Sequence, residues 1–291
     1  TNALFPPPGP LDSLTSGNFP PCMFLHHCVN KANAISRFSY KNHMRRVMTT
    51  TTSTRTAATP PTTNGKRKIR GLIFDMDGTL TIPNLDFNEM MRRLGCKTNN
   101  ILKEEDGFDE ERRKKSYQII AEMEGEALKT MKAMPGAVKL AKLLDDLNVP
   151  RGLVTRNVKT SVDHFHNVAW KDGETDTLMK AFHPVCSREF TPYKPAPDSL
   201  LHICKEWGVD PSEVMMVGDS PKDDVVAGNR AGCVTVLIEV EDTNRSYDIA
   251  KLEGEQVPHF IVPRIEEISY LLEYHFEIIG NGSGENNDLM F

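Results

Sequence analysis

The sequence predicts an α/β fold with a Rossmann-like, three-layer core, in which helices cover both faces of a parallel sheet. Short apolar segments typical of buried strands recur along the chain. The first is Ile69 to Asp75, whose apolar run Leu72-Ile73-Phe74 is followed by a turn at Gly78. Amphipathic helical segments separate the strands, and this alternation is typical of βαβ units with a parallel sheet.

Further strands and helices are predicted after the first strand. The strands are Arg151–Thr155, Met215–Gly218 and Val234–Val240, with weaker patterns at Pro184–Cys186 and Phe260–Val262. The helices are Ala137–Leu147, Val158–Val168, Pro197–Trp207, Asp224–Ala231 and Ile265–Phe276. Parallel sheets bind ligands at the carboxyl ends of their strands, so the functional site is expected at that edge.

One stretch interrupts the alternation. Residues 86–134 carry no strand pattern, and their apolar residues repeat at helical spacing with charges between them. We interpret residues 85–134 as a small helical cap inserted into a core made of residues 68–84 and 135–279. The polar residues 280–291 are predicted to be a disordered tail.

Residues 1–67 are predicted to be a disordered N-terminal extension. Residues 1–70 carry ten Lys or Arg and a single acid, Asp12, and are rich in Ser, Thr and Pro. This composition is typical of an organelle transit peptide, which would direct the protein to a plastid or to a mitochondrion. An extension without a targeting role, or sequence upstream of a start at Met44 or Met48, would leave the protein in the cytoplasm.

Composition excludes several other classes of protein. The net charge of −5 gives no indication of nucleic-acid binding, and no apolar run approaches the ~20 residues that span a bilayer. The six cysteines form no CxxC pair, which argues against a zinc site and against a disulfide framework. A P-loop and a Gly-rich dinucleotide loop are both absent from the sequence.

Two carboxylates follow the first strand in the segment Asp75-Met76-Asp77-Gly78-Thr79-Leu80. Gly78 allows the sharp turn that would bring both carboxylates to one point. One could attack phosphorus to form an aspartyl-phosphate, while the other protonates the leaving oxygen and later activates water. An acidic turn without catalytic function is the alternative.

Two further segments could hold a phosphoryl group. Thr155 and Asn157 follow the second strand where a helix begins, and a hydroxyl with free helical amides can cradle phosphate, although Thr155 could simply cap the helix. Lys194 precedes two prolines and a helix, so its ammonium could be fixed beside the nucleophile and the phosphoryl oxygens. A solvated surface lysine is the alternative there.

A fourth segment, Val217 to Asp224, is acidic and follows another predicted strand. It contains Asp219, Asp223 and Asp224, and carboxylates this close together favour a bound cation such as Mg²⁺. Capping of a helix by these acids is the alternative.

In this order, the four segments resemble the haloacid dehalogenase superfamily, whose members carry a DxDGT segment, a Thr or Ser, a Lys and a GDxxxD segment. The resemblance covers roughly residues 69–276. It implies that Asp75 is the nucleophile and Asp77 the acid/base. It also implies that Thr155 and Lys194 hold the phosphoryl group, with Asn157 nearby.

The resemblance also implies a Mg²⁺ site. Asp75 and Asp219 would be direct ligands and Asp77 would contribute its backbone carbonyl. Asp223 would lie in the metal's shell, with the adjacent Asp224 as the alternative.

The resemblance implies a reaction class as well. Dehalogenases of the family lack the second acid, so Asp77 points to phosphoryl transfer, and the inserted segment is similar to the C1 cap of the phosphoglycolate-phosphatase-like branch. Plant members with predicted chloroplast transit peptides are the most similar. We therefore expect a Mg²⁺-dependent phosphatase that hydrolyses a small phosphorylated metabolite through an aspartyl-phosphate. A phosphomutase and a non-catalytic binding protein with a relic site are the alternatives.

Overall fold

The computed structural model describes residues 65–96, 109–239 and 247–281. Its strands are β1 (Arg67–Ile69), β2 (Gly71–Phe74), β3 (Arg151–Val154), β4 (Val185–Cys186), β5 (Val214–Gly218), β6 (Val234–Ile238), β7 (Phe260–Val262) and β8 (Phe276–Ile278). Six of them form one sheet in the order β4-β3-β2-β5-β6-β7, and every neighbouring pair is parallel. This confirms the predicted α/β fold.

The α-helices lie between the strands and before the last one. They are α1 (Phe87–Leu94), α2 (Glu110–Thr130), α3 (Ala137–Asp146), α4 (Lys159–His164), α5 (Asp198–Trp207), α6 (Val226–Ala231) and α7 (Ile268–His275). Two π-helices adjoin this set, Phe165–Ala169 after α4 and Pro221–Val225 before α6. Short 3₁₀ helices occur at Pro211–Glu213, Ile249–Lys251, Gly254–Gln256 and Ile265–Glu267.

One face of the sheet packs against α5 and α6. Side chains that alternate along the strands, among them Ile73, Val154 and Met216, are buried against apolar side chains such as Leu200 and Ile203 of α5. In a strand, alternate residues face the same side of the sheet, so this contact fixes which residues face α5 and α6. Burial of this surface is the main contribution to the stability of such a core.

The predicted elements differ from the observed ones at their ends. The first predicted strand, Ile69 to Asp75, corresponds to β2, and the unpredicted β1 precedes it; between the two, Arg70 N–H donates to the carbonyl of Glu213 at 2.8 Å. The last predicted helix stops at His275, because Phe276 begins β8, which pairs in parallel with β1. Lys66, just before β1, also contacts the segment that precedes β8: its ammonium donates to the carbonyl of Glu273 at 2.8 Å, 207 residues away in sequence.

Helices α1 and α2 lie in the segment that we predicted to be a cap, and they contact each other. Each begins at an aspartate whose carboxylate accepts a backbone N–H of the first turn: Asp86 from Glu89 and Asp109 from Arg112. The two connections to the core run side by side, with Thr81 pairing antiparallel to Ala133.

Most of the predicted N-terminal extension and nearly all of the predicted tail lie outside the described residues, as do residues 97–108 of the predicted cap. Within the described ranges, we found no helix with the length and apolar character needed to span a bilayer.

Candidate active site

Three adjacent strands deliver the predicted site residues to one edge of the sheet. Asp75 follows β2, Thr155 follows β3 and Asp219 follows β5. Strands β3 and β5 flank β2 in register, with Phe74 opposite both Leu153 and Val217. Parallel strands in this register end together, so the residues that follow them converge.

A tight turn after β2 brings this strand end against the acidic loop. The carbonyl of Met76 accepts the backbone N–H groups of Leu80 at 2.8 Å and Thr81 at 2.9 Å. Gly78 in this turn has φ of 79°, a left-handed conformation that favours glycine. A Cβ at Gly78 would also collide with the carboxylate of Asp219, so the glycine allows the two loops to approach closely.

Lys194 lies at the centre of a buried ion cluster. Its ammonium donates to Asp75 Oδ1 at 2.5 Å, to Asp224 Oδ1 at 2.6 Å and to the carbonyl of Val154 at 2.9 Å. Only 2% of the Lys194 side chain is exposed. The structure therefore excludes the alternative that Lys194 is a solvated surface residue.

The cluster carries more negative than positive charge. Burial raises the pKa of the Asp75 carboxyl well above its ordinary value, the Lys194 ammonium opposes the shift, and the Asp224 and Asp219 carboxylates add to it. For Lys194, burial alone would lower the pKa, but the Asp224 and Asp75 carboxylates outweigh burial and raise it. Two buried carboxylates thus contact the ammonium, and a third, that of Asp219, lies close to both of them.

The same acids have the chemistry of a metal site. Carboxylate oxygens of Asp75, Asp219 and Asp224 lie within 4.8 Å of one another. Hard divalent cations prefer oxygen ligands, and a few carboxylates together with water and phosphate oxygens suit Mg²⁺. A divalent cation would also offset the excess negative charge, so the residues present fit the metal.

The structure corrects the sequence-based preference for Asp223, because Asp224 joins the cluster instead. Asp224 is buried, and its Oδ2 accepts the backbone N–H groups of Asp219 at 3.1 Å and Ser220 at 2.9 Å. Asp223 pairs with Arg156 at 3.2 Å on the partly exposed side of the turn.

Local backbone geometry explains this selection. Adjacent residues of a helix point in different directions, and here Asp224 faces Lys194 while Asp223 faces Arg156. The turn that carries them is the π-helix Pro221–Val225, which begins with Ser220 accepting the N–H of Asp223 through its hydroxyl. A Cβ at Gly218 would collide with the Asp224 side chain, so this glycine makes room for the inward carboxylate.

Asp224→Asn and Asp223→Asn are expected to differ sharply. Asp224→Asn presents an amide to the Lys194 ammonium and should cost about 1–3 kcal/mol of folding free energy. It should also raise the Mg²⁺ concentration for half-maximal activity ~10–100-fold, as losses around metal sites typically do. Asp223→Asn breaks a partly exposed ion pair and should cost less than about 1 kcal/mol.

Urea denaturation and Mg²⁺ titration of both variants measure these effects. Equal Mg²⁺ dependence of the two variants would show that Asp224 has no special place at the metal.

Asn157 and Asp77 form a second contact across the site. The side-chain amide of Asn157 donates to Asp77 Oδ2 at 2.6 Å, and the Thr81 hydroxyl donates to Asp77 Oδ1 at 3.1 Å. Asp77 itself is exposed. Asn157 was predicted to lie near the phosphoryl group, whereas in the structure its amide is engaged with the second carboxylate of the first motif.

Thr155 is buried directly after β3, and its hydroxyl oxygen accepts the backbone N–H of Asn157 at 3.1 Å. This contact shapes the turn and leaves the hydroxyl proton free to be donated elsewhere. It is compatible both with a capping role and with the predicted phosphoryl contact.

Some residues at this edge were not singled out from the sequence. The Tyr247 hydroxyl donates to the carbonyl of Asp219 at 3.1 Å, and the Arg156 guanidinium lies 5.6 Å from the centre of the Tyr193 ring. Arg156 and Tyr193 stand within predicted motifs and could have been noticed there. Tyr247 lies outside every motif, and no pattern in the sequence marks it.

Comparison with known proteins identifies the family of this chain. Residues 69–232 match the family model described as haloacid dehalogenase-like hydrolase. A haloacid dehalogenase-like hydrolase domain-containing protein of Arabidopsis thaliana is 40% identical over 229 residues, which are 75% of this chain and 89% of the relative. The chain therefore belongs to the haloacid dehalogenase-like hydrolase family.

Two further similarities bear on fold and chemistry. The crystal structure of a predicted phosphoglycolate phosphatase from Haemophilus somnus superposes with a TM-score of 0.55 at 19% identity, covering 71% of this chain and 99% of that one. This likeness concerns the fold. Phosphoglycolate phosphatase of Haemophilus influenzae is 46% identical over 43 residues, 15% of this chain and 19% of that protein.

Proposed function

We propose that the protein is a Mg²⁺-dependent phosphatase that hydrolyses a small phosphorylated metabolite through an aspartyl-phosphate on Asp75. The observation that carries the proposal is the contact of buried Lys194 with Asp75 Oδ1 at 2.5 Å, beside the carboxylates of Asp219 and Asp224. This arrangement fixes one oxygen of a carboxylate and leaves Oδ2 for attack. The relative named phosphoglycolate phosphatase supports a phosphate ester as substrate.

Mg²⁺ would be held by Asp75, Asp219 and Asp224, and when bound it supplies positive charge for the phosphoryl oxygens. Lys194 adds a fixed ammonium on the protein side of the same group. Thr155 can donate its hydroxyl proton to a phosphoryl oxygen, because its own oxygen already accepts from Asn157 N–H. The family resemblance adds the backbone carbonyl of Asp77 to the metal ligands.

In the first step, Asp75 Oδ2 forms a bond to phosphorus while the ester P–O bond breaks. The leaving oxygen takes the proton carried by the Asp77 carboxyl, which becomes a carboxylate. In the second step, water attacks phosphorus and gives a proton to Asp77, and the bond between phosphorus and Asp75 breaks. Inorganic phosphate leaves, and both aspartates return to their starting state.

A panel of phosphorylated metabolites, incubated with the protein and Mg²⁺, tests the proposal by the release of inorganic phosphate. We expect release from at least one small phosphate ester, and its loss when EDTA removes the metal. Conversion of a sugar phosphate to its isomer without phosphate release would indicate a phosphomutase instead. No turnover on any ester, together with no phosphoryl group on Asp75, would contradict the proposal.

A further inference from the structure

We infer that Asn157 is a positioning residue that holds the Asp77 carboxylate in place for proton transfer, and that it is not a ligand of the phosphoryl group. The inference rests on the proposed function and names one more residue that this chemistry requires. It also replaces the role that the sequence predicted for Asn157.

The first argument is the direction of the Asn157 side chain. Its amide nitrogen lies 2.6 Å from Asp77 Oδ2 and 4.0 Å from the sulfur of Met76, so it is directed at the turn that follows β2. The only donor of a side-chain amide is its NH₂ group. That group carries two hydrogens, and its acceptors in the structure are Asp77 Oδ2 and the Met76 sulfur, so the side chain is directed at this turn rather than at a phosphoryl group.

The second argument is that the backbone of Asn157 is held on both sides. Its N–H donates to the Thr155 hydroxyl at 3.1 Å, and its carbonyl accepts the N–H of Arg188 at 2.8 Å. The side chain therefore projects from a fixed peptide. A residue that positions a catalytic group must itself be held in this way.

The third argument is the environment of Asp77. This carboxylate is exposed, unlike the buried Asp75, and an exposed aspartate has several accessible rotamers. Two groups contact it: Asn157 donates to Oδ2, and the buried Thr81 hydroxyl, whose one proton is shared with the Met76 carbonyl at 3.2 Å, lies 3.1 Å from Oδ1. Because Thr81 and Asn157 lie on different segments, their bonds to the two oxygens fix the carboxylate plane. Neither Asn157 nor Thr81 needs to touch substrate to act in this way.

These contacts orient the Asp77 carboxyl group for the proton transfers of both steps. In the first step Asp77 must carry a proton, and one of the two contacts has to yield when it does. Loss of Asn157 should therefore impair proton transfer in both steps and leave phosphoryl binding unchanged.

The test compares Asn157→Ala with wild type and with Asn167→Ala. Asn167 is an exposed asparagine whose amide donates to the Asp163 carbonyl at 2.8 Å, within its own helical segment. Three quantities are measured: inhibition by inorganic phosphate, the pre-steady-state rate of leaving-group release, and the fraction of protein that carries a trapped phosphoryl group. Melting temperatures confirm that each variant is folded.

We expect the inhibition constant of inorganic phosphate to stay within about twofold of wild type. Release of an alkyl alcohol should slow ~10²-fold, the loss typical of a catalytic group displaced by about 1 Å. Release of p-nitrophenol should slow much less, because that leaving group needs little protonation. The trapped phosphoryl fraction with p-nitrophenyl phosphate should rise above that of wild type and of Asn167→Ala.

A tenfold weaker inhibition by phosphate, with equal slowing for both leaving groups, would overturn the inference and return Asn157 to phosphoryl binding. Unchanged rates would overturn it as well. Measurements on the wild-type protein distinguish these outcomes from a failure of the proposed function. If the wild-type protein forms no phosphoryl-enzyme and hydrolyses no ester, both proposals fall.

Discussion

Replacing Asp75 with Asn is expected to abolish phosphate release from every ester that the wild-type protein hydrolyses. The side chain keeps its size, but an amide cannot provide the carboxylate oxygen that attacks phosphorus. Burial raises the pKa of this carboxyl, which means that its charged form is poorly solvated. Because the substitution also presents an amide to the Lys194 ammonium, as Asp224→Asn does, it should cost about 1–3 kcal/mol of folding free energy in the metal-free protein.

Asp77→Asn should behave differently from Asp75→Asn. A substrate with a good leaving group can still transfer its phosphoryl group to Asp75, but hydrolysis of the intermediate loses its base and should slow about 10²–10⁴-fold. The variant should therefore accumulate aspartyl-phosphate, detected as a mass increase that hydroxylamine removes.

Asp163→Asn is the control for both variants, because Asp163 is exposed and pairs with Lys159 on the same helix. The mechanism is wrong if Asp75→Asn keeps wild-type turnover. It is equally wrong if the phosphoryl group is found on Ser, Thr or His.

Lys194→Met is expected to be the most destabilising single substitution at the site. It removes the ammonium that donates to Asp75 and Asp224, so these two buried carboxylates are left without their cationic partner. Removing one partner of a buried ion pair typically costs about 3–5 kcal/mol. Urea denaturation without metal measures this loss, and turnover should fall together with stability.

Added Mg²⁺ should restore more stability to Lys194→Met than it adds to wild type, because the cation offsets the same uncompensated charge. Lys222→Met is the matched control, since Lys222 is exposed on the same acidic loop. An equal effect of Mg²⁺ on wild type and Lys194→Met would show that the ammonium and the metal do not share these carboxylates.

The sequence predicted the parts of this site that depend on strand ends. Asp75, Thr155 and Asp219 each follow an apolar run, and parallel strands bring such positions together whatever the details of the loops. Lys194 was identified by the rigid segment around it. These predictions needed only the order of strands and the direction of the sheet.

The sequence could not predict the direction in which individual side chains point. Asp223 and Asp224 are adjacent and chemically identical, and the choice between them depends on the π-helical turn that carries them. Asn157 is within reach of more than one partner, and its bond to Asp77 depends on a backbone held by Thr155 and Arg188. The orientation of these side chains is set by tertiary contacts, which leave no periodic pattern in the sequence.

Strands β1 and β8 also escaped prediction, because charged residues, Arg67 and Lys68 in β1 and Glu277 in β8, interrupt the apolar pattern of a buried strand. Their pairing is created by the rest of the fold, which places the two ends of the described core side by side. The pairing closes a long loop, and the entropic cost of loop closure grows only slowly with loop length.

The β1–β8 pair has a consequence for synthesis on the ribosome. Arg67 pairs with Phe276, so the first strand of the core waits for a partner that is among the last described residues to be made. A nascent chain that ends before β8 leaves the edge of β1 open, and exposed strand edges promote aggregation. Ribosome-bound chains truncated before Phe276 should therefore be more sensitive to protease around Arg67 than chains extended past Ile278. We therefore expect the domain to be complete only after β8 has left the ribosome and paired with β1.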